Sequence, residues 1–106
     1  MKFILLSQET ERDLVLLIPV IFSDILVHKS VFEINQMLLR EMYQKNGWKE
    51  ATCISAGFYR LDTGVCYGES ESLKISCRKG TTEIIQNINY ISIFTKTHPF
   101  LCSETK

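Results

Sequence analysis

Long hydrophobic runs are missing from this chain of 106 residues. The longest run, Leu14 to Phe22, spans nine residues and is interrupted by Pro19, whereas a helix that crosses a membrane needs about 20 apolar residues. The opening segment Met1 to Leu6 is followed at once by polar sequence and is too short for the apolar part of a signal peptide. We therefore expect no membrane association and a cytoplasmic protein with reduced thiols.

An excess of charge of either sign is also absent. Twelve basic and twelve acidic side chains give a formal net charge of zero, and no stripe of Lys and Arg emerges along the chain. Non-specific affinity for nucleic acids comes from the neutralisation of phosphates, so nucleic acid is not an expected ligand. The apolar fraction of 45% and the charged fraction of 23% are close to those of average soluble domains, which argues against a disordered chain.

Closely spaced metal ligands and known catalytic motifs are lacking as well. The chain has four cysteines, which are Cys53, Cys66, Cys77 and Cys102. None of them forms a C-x-x-C pair, and the only histidines are His28 and His98. Zinc ligands usually come in close pairs, so we expect neither a metal nor another cofactor. The sequence has no phosphate-binding P-loop motif, and Gly68 to Ser72 lacks the last glycine of a nucleophile elbow.

The hydrophobic pattern predicts a mixed α+β domain. Short strands are expected at residues 2–6, 14–21, 52–61, 65–67 and 74–78. Pro19 indicates that the second strand lies at an edge, contains a bulge or ends there. A second helix is expected to start at the cap Thr81, although residues 88–94 are rich in β-branched side chains and could instead be extended.

The first helix is predicted from Val31 to Gln44. Ser30 and Glu33 have the spacing of a capping box. The residues of its apolar face are Val31, Ile34, Leu38 and Met42, and those that widen this face are Met37, Leu39 and Tyr43. Because the face is wider than one core contact needs, we expect a homodimer through this helix or, alternatively, through a sheet edge.

The predicted order of elements is β-β-α-β-β-(β)-α. This order indicates an α+β two-layer sandwich, in which a small, mainly antiparallel sheet carries both helices on one face. Residues 1–94 would form a single domain, and residues 95–106 would form a C-terminal tail.

His28, Tyr67 and the bend that follows Tyr67 are candidate ligand-binding elements. His28 stands before the predicted helix, where the helix dipole disfavours a cation, so a neutral ring could bind a ligand or relay a proton. The alternative is a half-buried histidine that bonds to the backbone. Gly68, Ser70 and Ser72, followed by Arg78, could cradle an anion or a polar ligand, or could form a tight loop whose serines bond their own backbone.

The strand segment Ser55-Ala56-Gly57-Phe58 adds two further candidates, Ser55 and Gly57. A glycine inside a strand indicates the close approach of another backbone or of a ligand. A β-bulge is the alternative explanation.

Three segments together resemble a group of small proteins encoded by phages and prophages, for which no activity is established. They are Val20-Ile21-Phe22 leading to Val27-His28, then Ser55 to Phe58, and then Cys66 to Leu73 leading to Ser76-Cys77-Arg78. The likeness covers residues 3–91, and the chain departs from the group in its longer middle helix and in its tail. The resemblance implies that these positions serve either binding or the fold, and it implies no catalytic residue.

We therefore expect a non-enzymatic binding or regulatory protein of phage type. Its partner would be a host protein, for example one that it inhibits, or a small polar ligand. The alternative is a small enzyme that acts on a nucleotide or a phosphoester, with His28 and Arg78 at one site. In either case we expect the bend at 68–72 to meet the start of the first helix and form one recognition surface.

Overall fold

The structure, a computed structural model, describes residues 1–10, 14–43 and 47–87. Within these ranges the elements are β1 (Lys2–Glu9), β2 (Val15–Phe22), α1 (His28–Tyr43), β3 (Thr52–Tyr59), β4 (Cys66–Tyr67), β5 (Glu69–Ser70), β6 (Ile75–Ser76) and α2 (Thr81–Gln86). The prediction of a small mixed α+β fold with an antiparallel sheet is confirmed.

Within the described ranges the main sheet has four strands in the order β2-β1-β3-β4. One of the two inner strands, β1, is apolar on both faces, and the side chains from Phe3 to Leu6 are 0% exposed. Pro19 lies within β2, the strand at one end of this described order, and is paired with Leu5 of β1.

The strand predicted at 74–78 does not extend the main sheet. Instead, Ile75–Ser76 pairs with Glu69–Ser70 in a separate two-stranded hairpin. The cause is Gly68, whose φ of 80° turns the chain away from β4 immediately before β5 begins. A left-handed residue of this kind interrupts a strand, and glycine adopts it without steric cost.

Helix α1 begins at His28 rather than at Val31. Its first turn is closed by the bond from the amide of Val31 to the carbonyl of Val27, so Ser30 lies inside the helix and the predicted capping box is wrong. The predicted end at Gln44 lies outside the described residues.

The buried face of α1 is also shifted from the predicted one. It consists of His28, Val31, Asn35 and Leu39, of which Val31 and Leu39 were predicted, whereas Ile34 is 46% exposed and Met42 is 49% exposed. Asn35 can occupy the core because its amide nitrogen donates to the carbonyl of Val31 at 2.8 Å, which satisfies a donor that burial would otherwise leave unpaired.

The two helices pack on different faces of the main sheet. Val31 and Leu39 of α1 belong to a cluster with Ile4, Leu6, Ile18, Val20 and Phe22. Ile85 of α2 belongs to a second cluster with Phe3, Ile21 and Cys66. Neighbouring residues of a strand point to opposite faces, so the expectation that both helices lie on one face is corrected.

Helix α2 also starts differently from the prediction. Gly80, with a φ of 91°, occupies its N-cap position without a side-chain hydrogen bond, and the Thr81 hydroxyl donates to the carbonyl of Arg78 at 2.7 Å. The predicted continuation through 88–94 and the domain boundary after residue 94 lie outside the described residues. Neither helix within 1–10, 14–43 and 47–87 is long and apolar enough to span a membrane.

Candidate functional site

A pocket of about 580 Å³ lies between the start of α1 and the bend that follows β4. Four of the residues singled out from the sequence line it, namely His28, Tyr67, Gly68 and Ser72. The Ser72 hydroxyl accepts a hydrogen bond of 3.1 Å from the amide of Lys29. The bend at 68–72 and the start of α1 therefore meet at one surface, as the sequence led us to expect.

Strand register builds the aromatic wall of this pocket. Phe58 is paired with Lys2 of β1 on one side and with Tyr67 of β4 on the other. Directly paired residues of antiparallel strands project from the same face, so these three side chains line the pocket together. The rings of Phe58 and Tyr67 have centroids 5.8 Å apart.

His28 is buried behind the aromatic wall, and little of its surface is open to the pocket. Its ring is 4% exposed and packs edge-to-face against Phe22 and Phe58, at centroid distances of 5.4 and 6.0 Å. Nε2 lies 2.8 Å from the carbonyl oxygen of Gly57, and because a carbonyl only accepts, Nε2 carries the hydrogen. The geometry is the backbone-bonded alternative, in which His28 fastens α1 to β3.

The charge state of His28 follows from its burial. Desolvation lowers its pKa below 6.5, nearby Lys2 acts in the same direction, and the Gly57 carbonyl offsets part of the effect. The ring is therefore neutral at pH 7, which agrees with the expectation from the helix terminus.

Gly57 marks the close approach of another backbone. A Cβ at this position would collide with the carbonyl oxygen of Tyr67 and would lie 3.2 and 3.3 Å from backbone atoms of Gly68 and Glu69. A bulge does exist in β3, but it lies where the register shifts between the partners of Leu5 and Leu6. Gly57 thus allows the bend after β4 to rest directly on β3.

The serines of the bend bond to the protein itself. Ser70 is 1% exposed, and its hydroxyl accepts from the amide of Leu73 at 3.1 Å. Ser72 binds the amide of Lys29 as described above. The Ser70 contact corresponds to the tight-loop alternative, whereas the Ser72 contact joins the bend to α1. Both hydroxyls act as acceptors in these bonds and keep their own hydrogens.

Ser55 and Arg78 lie away from the pocket lining. Ser55 is 0% exposed, and its hydroxyl accepts from the amide of Arg78 at 2.8 Å and lies 2.7 Å from the Thr81 hydroxyl. Because the Thr81 hydrogen is directed at the Arg78 carbonyl, Ser55 donates to Thr81. Ser55 therefore holds the start of α2 against β3. Arg78 does not line the pocket that His28 lines, so the pair required for the enzymatic alternative is not assembled there.

Five residues of the pocket lining are not among the candidates predicted from the sequence. They are Lys2, Val27, Phe58, Glu69 and Glu71. The alternation of Glu with Ser at 69–72 was a usable signal, because it places two carboxylates beside the candidate serines. The inclusion of Lys2 depends on its pairing with Phe58, which no local pattern reveals.

We expect acidification to destabilise the protein through His28. The unfolded ring takes up a proton near pH 6.5, whereas the folded ring does so only at lower pH because its pKa is lowered. Below pH 6.5 the unfolded chain then binds more protons, so the free energy of unfolding decreases as the pH falls. Urea denaturation at pH 7.5, 6.5 and 5.5 measures this slope in the wild type and in His28→Gln. The slope should be smaller in the variant, and equal slopes would contradict the assignment, since His98 is common to both.

Within the described ranges, no cluster of three or more His, Cys, Asp or Glu side chains could hold a metal ion. Comparisons with protein-family models, with curated proteins and with solved structures found no match to this chain.

Proposed function

We propose that the protein is a non-enzymatic binding module that receives a segment of a partner protein at the pocket and its apolar rim. The observation that carries the proposal is the run Ile25-Leu26-Val27, whose side chains are 88%, 48% and 49% exposed. Val27 also lines the pocket. Consecutive exposed aliphatic residues beside a pocket are typical of an interaction site.

The loop that carries this rim is held in place by its backbone. The amides of Ile25 and Leu26 bond to the hydroxyl and the carbonyl of Ser23 at 3.2 and 3.1 Å. The ammonium of Lys2 donates to the carbonyl of Leu26 at 2.8 Å. These contacts order the loop while its aliphatic side chains point outward. The loop would therefore lose little conformational entropy when a partner binds.

The composition of the pocket supports binding rather than catalysis. Nε2 of His28 is committed to the Gly57 carbonyl, which leaves Nδ1 as the ring nitrogen that could take a proton. The enzymatic alternative also needs Arg78 at the same site, and Arg78 does not line the pocket.

Three further expectations extend this proposal, and they concern the partner, self-association and the layers of the fold. The resemblance to small phage and prophage proteins favours a host protein as the partner and the host cytoplasm as the place of contact. Exposed Ile34, Met37 and Met42 support self-association through α1, although Leu39 is buried in the core and the side chain of Tyr43 lies outside the description. For the fold, the proposal keeps two main layers, which are the main sheet and α1 on one of its faces. Helix α2 lies on the other face, but with six residues it is a small addition.

The test is capture from a bacterial lysate with the full chain and a pair of matched variants. In the double variant Ile25→Ser/Val27→Ser the rim loses its apolar character, whereas Leu61→Ser removes an exposed aliphatic side chain, 67% exposed, that does not line the pocket. Exposed changes of this kind alter stability by about 0.5 kcal/mol or less. We expect the rim variant to lose a captured protein that the wild type and Leu61→Ser retain. Equal capture by all three, or capture of none, would refute the proposal.

A further inference from the structure

The charged side chains that line the pocket are unbalanced towards the negative, while Lys74 lies outside this lining and shares an adjacent hollow with Glu69 and Glu71. Glu69 and Glu71 line it and are exposed, and neither forms an ion pair with another described residue. The single lining cation, Lys2, directs its ammonium to the carbonyl of Leu26. His28 adds no charge at pH 7, because its pKa is lowered by burial. One cation against two carboxylates leaves the lining at a net charge of −1.

The aromatic wall favours the same sign of ligand. Tyr67 is 50% exposed, and its ring lies beside that of Phe58 with a centroid distance of 5.8 Å. The face of an aromatic ring attracts a cation placed within about 6 Å of its centroid. Val27 supplies an aliphatic surface at the same pocket, against which the methylene stem of a long side chain can pack.

An anion is disfavoured at this site by charge. The Ser72 hydroxyl accepts from the amide of Lys29 and keeps a hydrogen to donate, but Arg78 is not part of the lining. A phosphate would instead face the carboxylates of Glu69 and Glu71. The volume of about 580 Å³ is within the range of organic ligand sites and larger than an inorganic ion requires.

We propose that this pocket takes an organic cation, an alkylammonium or guanidinium group, between the aromatic wall of Phe58 and Tyr67 and the carboxylates of Glu69 and Glu71. The inference rests on the proposed binding function and names the chemistry of what enters the pocket. Such a group could be a Lys or Arg side chain of a partner protein or a free amine.

The test is a titration of the isotope-labelled full chain with two probes of nearly equal shape, followed by NMR. One probe is Nα-acetyl-lysine methylamide, which carries an ammonium, and the other is Nα-acetyl-norleucine methylamide, which is neutral. We expect the lysine probe to shift the amide signals of Gly57, Gly68 and Glu69, with at least tenfold tighter binding than the norleucine probe. Binding should weaken as salt is raised, because exposed charges are screened.

Variants identify the groups responsible. Glu69→Gln, Glu71→Gln and Tyr67→Leu should each weaken binding of the lysine probe about threefold to tenfold, consistent with single exposed charge and cation–π contacts. Glu83→Gln changes an exposed carboxylate of α2 that does not line the pocket, and it should bind like the wild type. Equal losses in Glu83→Gln would show a general effect of net charge and would overturn the inference.

Further measurements distinguish a free amine from a side chain of a partner protein, and they separate the cation site from the proposed function of the rim. Spermidine binding more tightly than a lysine peptide with apolar neighbours would indicate a free amine, and the reverse order would indicate a protein segment. Equal affinity for both amide probes, preferential binding of sulfate, or no binding of any probe would overturn the cation site, even if the rim at 25–27 still captures a protein. Lysine-probe binding combined with capture that is insensitive to Ile25→Ser/Val27→Ser would overturn the proposed function and leave the cation site standing.

Discussion

Replacement of Gly57 by alanine is expected to lower the free energy of unfolding by about 3 kcal/mol, at the upper end of the usual overpacking cost. The added Cβ would collide with the carbonyl oxygen of Tyr67 and crowd the backbone of Gly68 and Glu69. Backbone atoms cannot rotate away as the end of a flexible side chain can, so the bend after β4 has to separate from β3. The pocket would open in the same step, because the Gly57 carbonyl also holds His28.

Gly80→Ala provides the comparison for this prediction. Nothing lies within 4 Å of a Cβ at Gly80, but its φ of 91° is unfavourable for alanine, which costs about 1–2 kcal/mol. Urea denaturation followed by circular dichroism measures both variants, and NMR spectra report on the amides of the bend. If Gly57→Ala were no more destabilising than Gly80→Ala, the close approach of β3 and the bend would be disproved.

Truncation of Ile85 to alanine is expected to cost about 2–5 kcal/mol, the range for a large side chain removed from a core. Ile85 is 0% exposed and is the hydrophobic residue by which α2 joins the cluster with Phe3 and Ile21. Helix α2 has six residues, and so short a helix is not stable without tertiary packing. We therefore expect α2 to unfold locally as well, and the amide of Asn87, bonded to Glu83, to exchange its hydrogen faster.

Ile84→Ala is the matched control, because it removes the same atoms from the same helix at a partly exposed position. It should cost well under half as much as Ile85→Ala in urea denaturation. Equal costs would mean that α2 does not present Ile85 to the sheet, and the two-face packing described above would have to be revised.

The strands were predictable where burial acts on both faces, and less so where polar residues are involved. The run from Leu14 to Phe22 identifies β2 directly. The predicted first strand ends at residue 6, because residues 7–9 are polar, yet β1 continues to Glu9, since Gln8 pairs with Leu16 and is 2% exposed. The length of β1 is set by its partner strand, and this information is not present in the local sequence.

The first helix was predicted, but its buried face only in part, because Val31 and Leu39 were expected there and Asn35 was not. Apolar residues surround much of α1, so periodicity alone allows more than one face to point inward. Asn35 can lie on the buried face because its side-chain amide donates a hydrogen bond to the carbonyl of Val31 in the same helix. A count of apolar positions alone assigns Asn35 to the solvent side and Ile34 to the core, whereas Ile34 is exposed.

The candidate site was predictable in its two chain segments and not in its full composition. The glycine bend and His28 carry local signals that place them near a surface. The contributions of Lys2 and Phe58 come from strand pairing, and the structural role of Ser55 comes from its contact with Thr81, 26 residues later in the chain. Both depend on long-range geometry that is fixed only when the sheet has formed.

Pro19 has a consequence for extended copies of this chain. In a cross-β stack every backbone amide donates to the neighbouring copy, and proline has no amide hydrogen. Continuous stacking of copies into fibrils is thereby discouraged at residues 14–22, the most apolar segment of the chain and the one otherwise best suited to it.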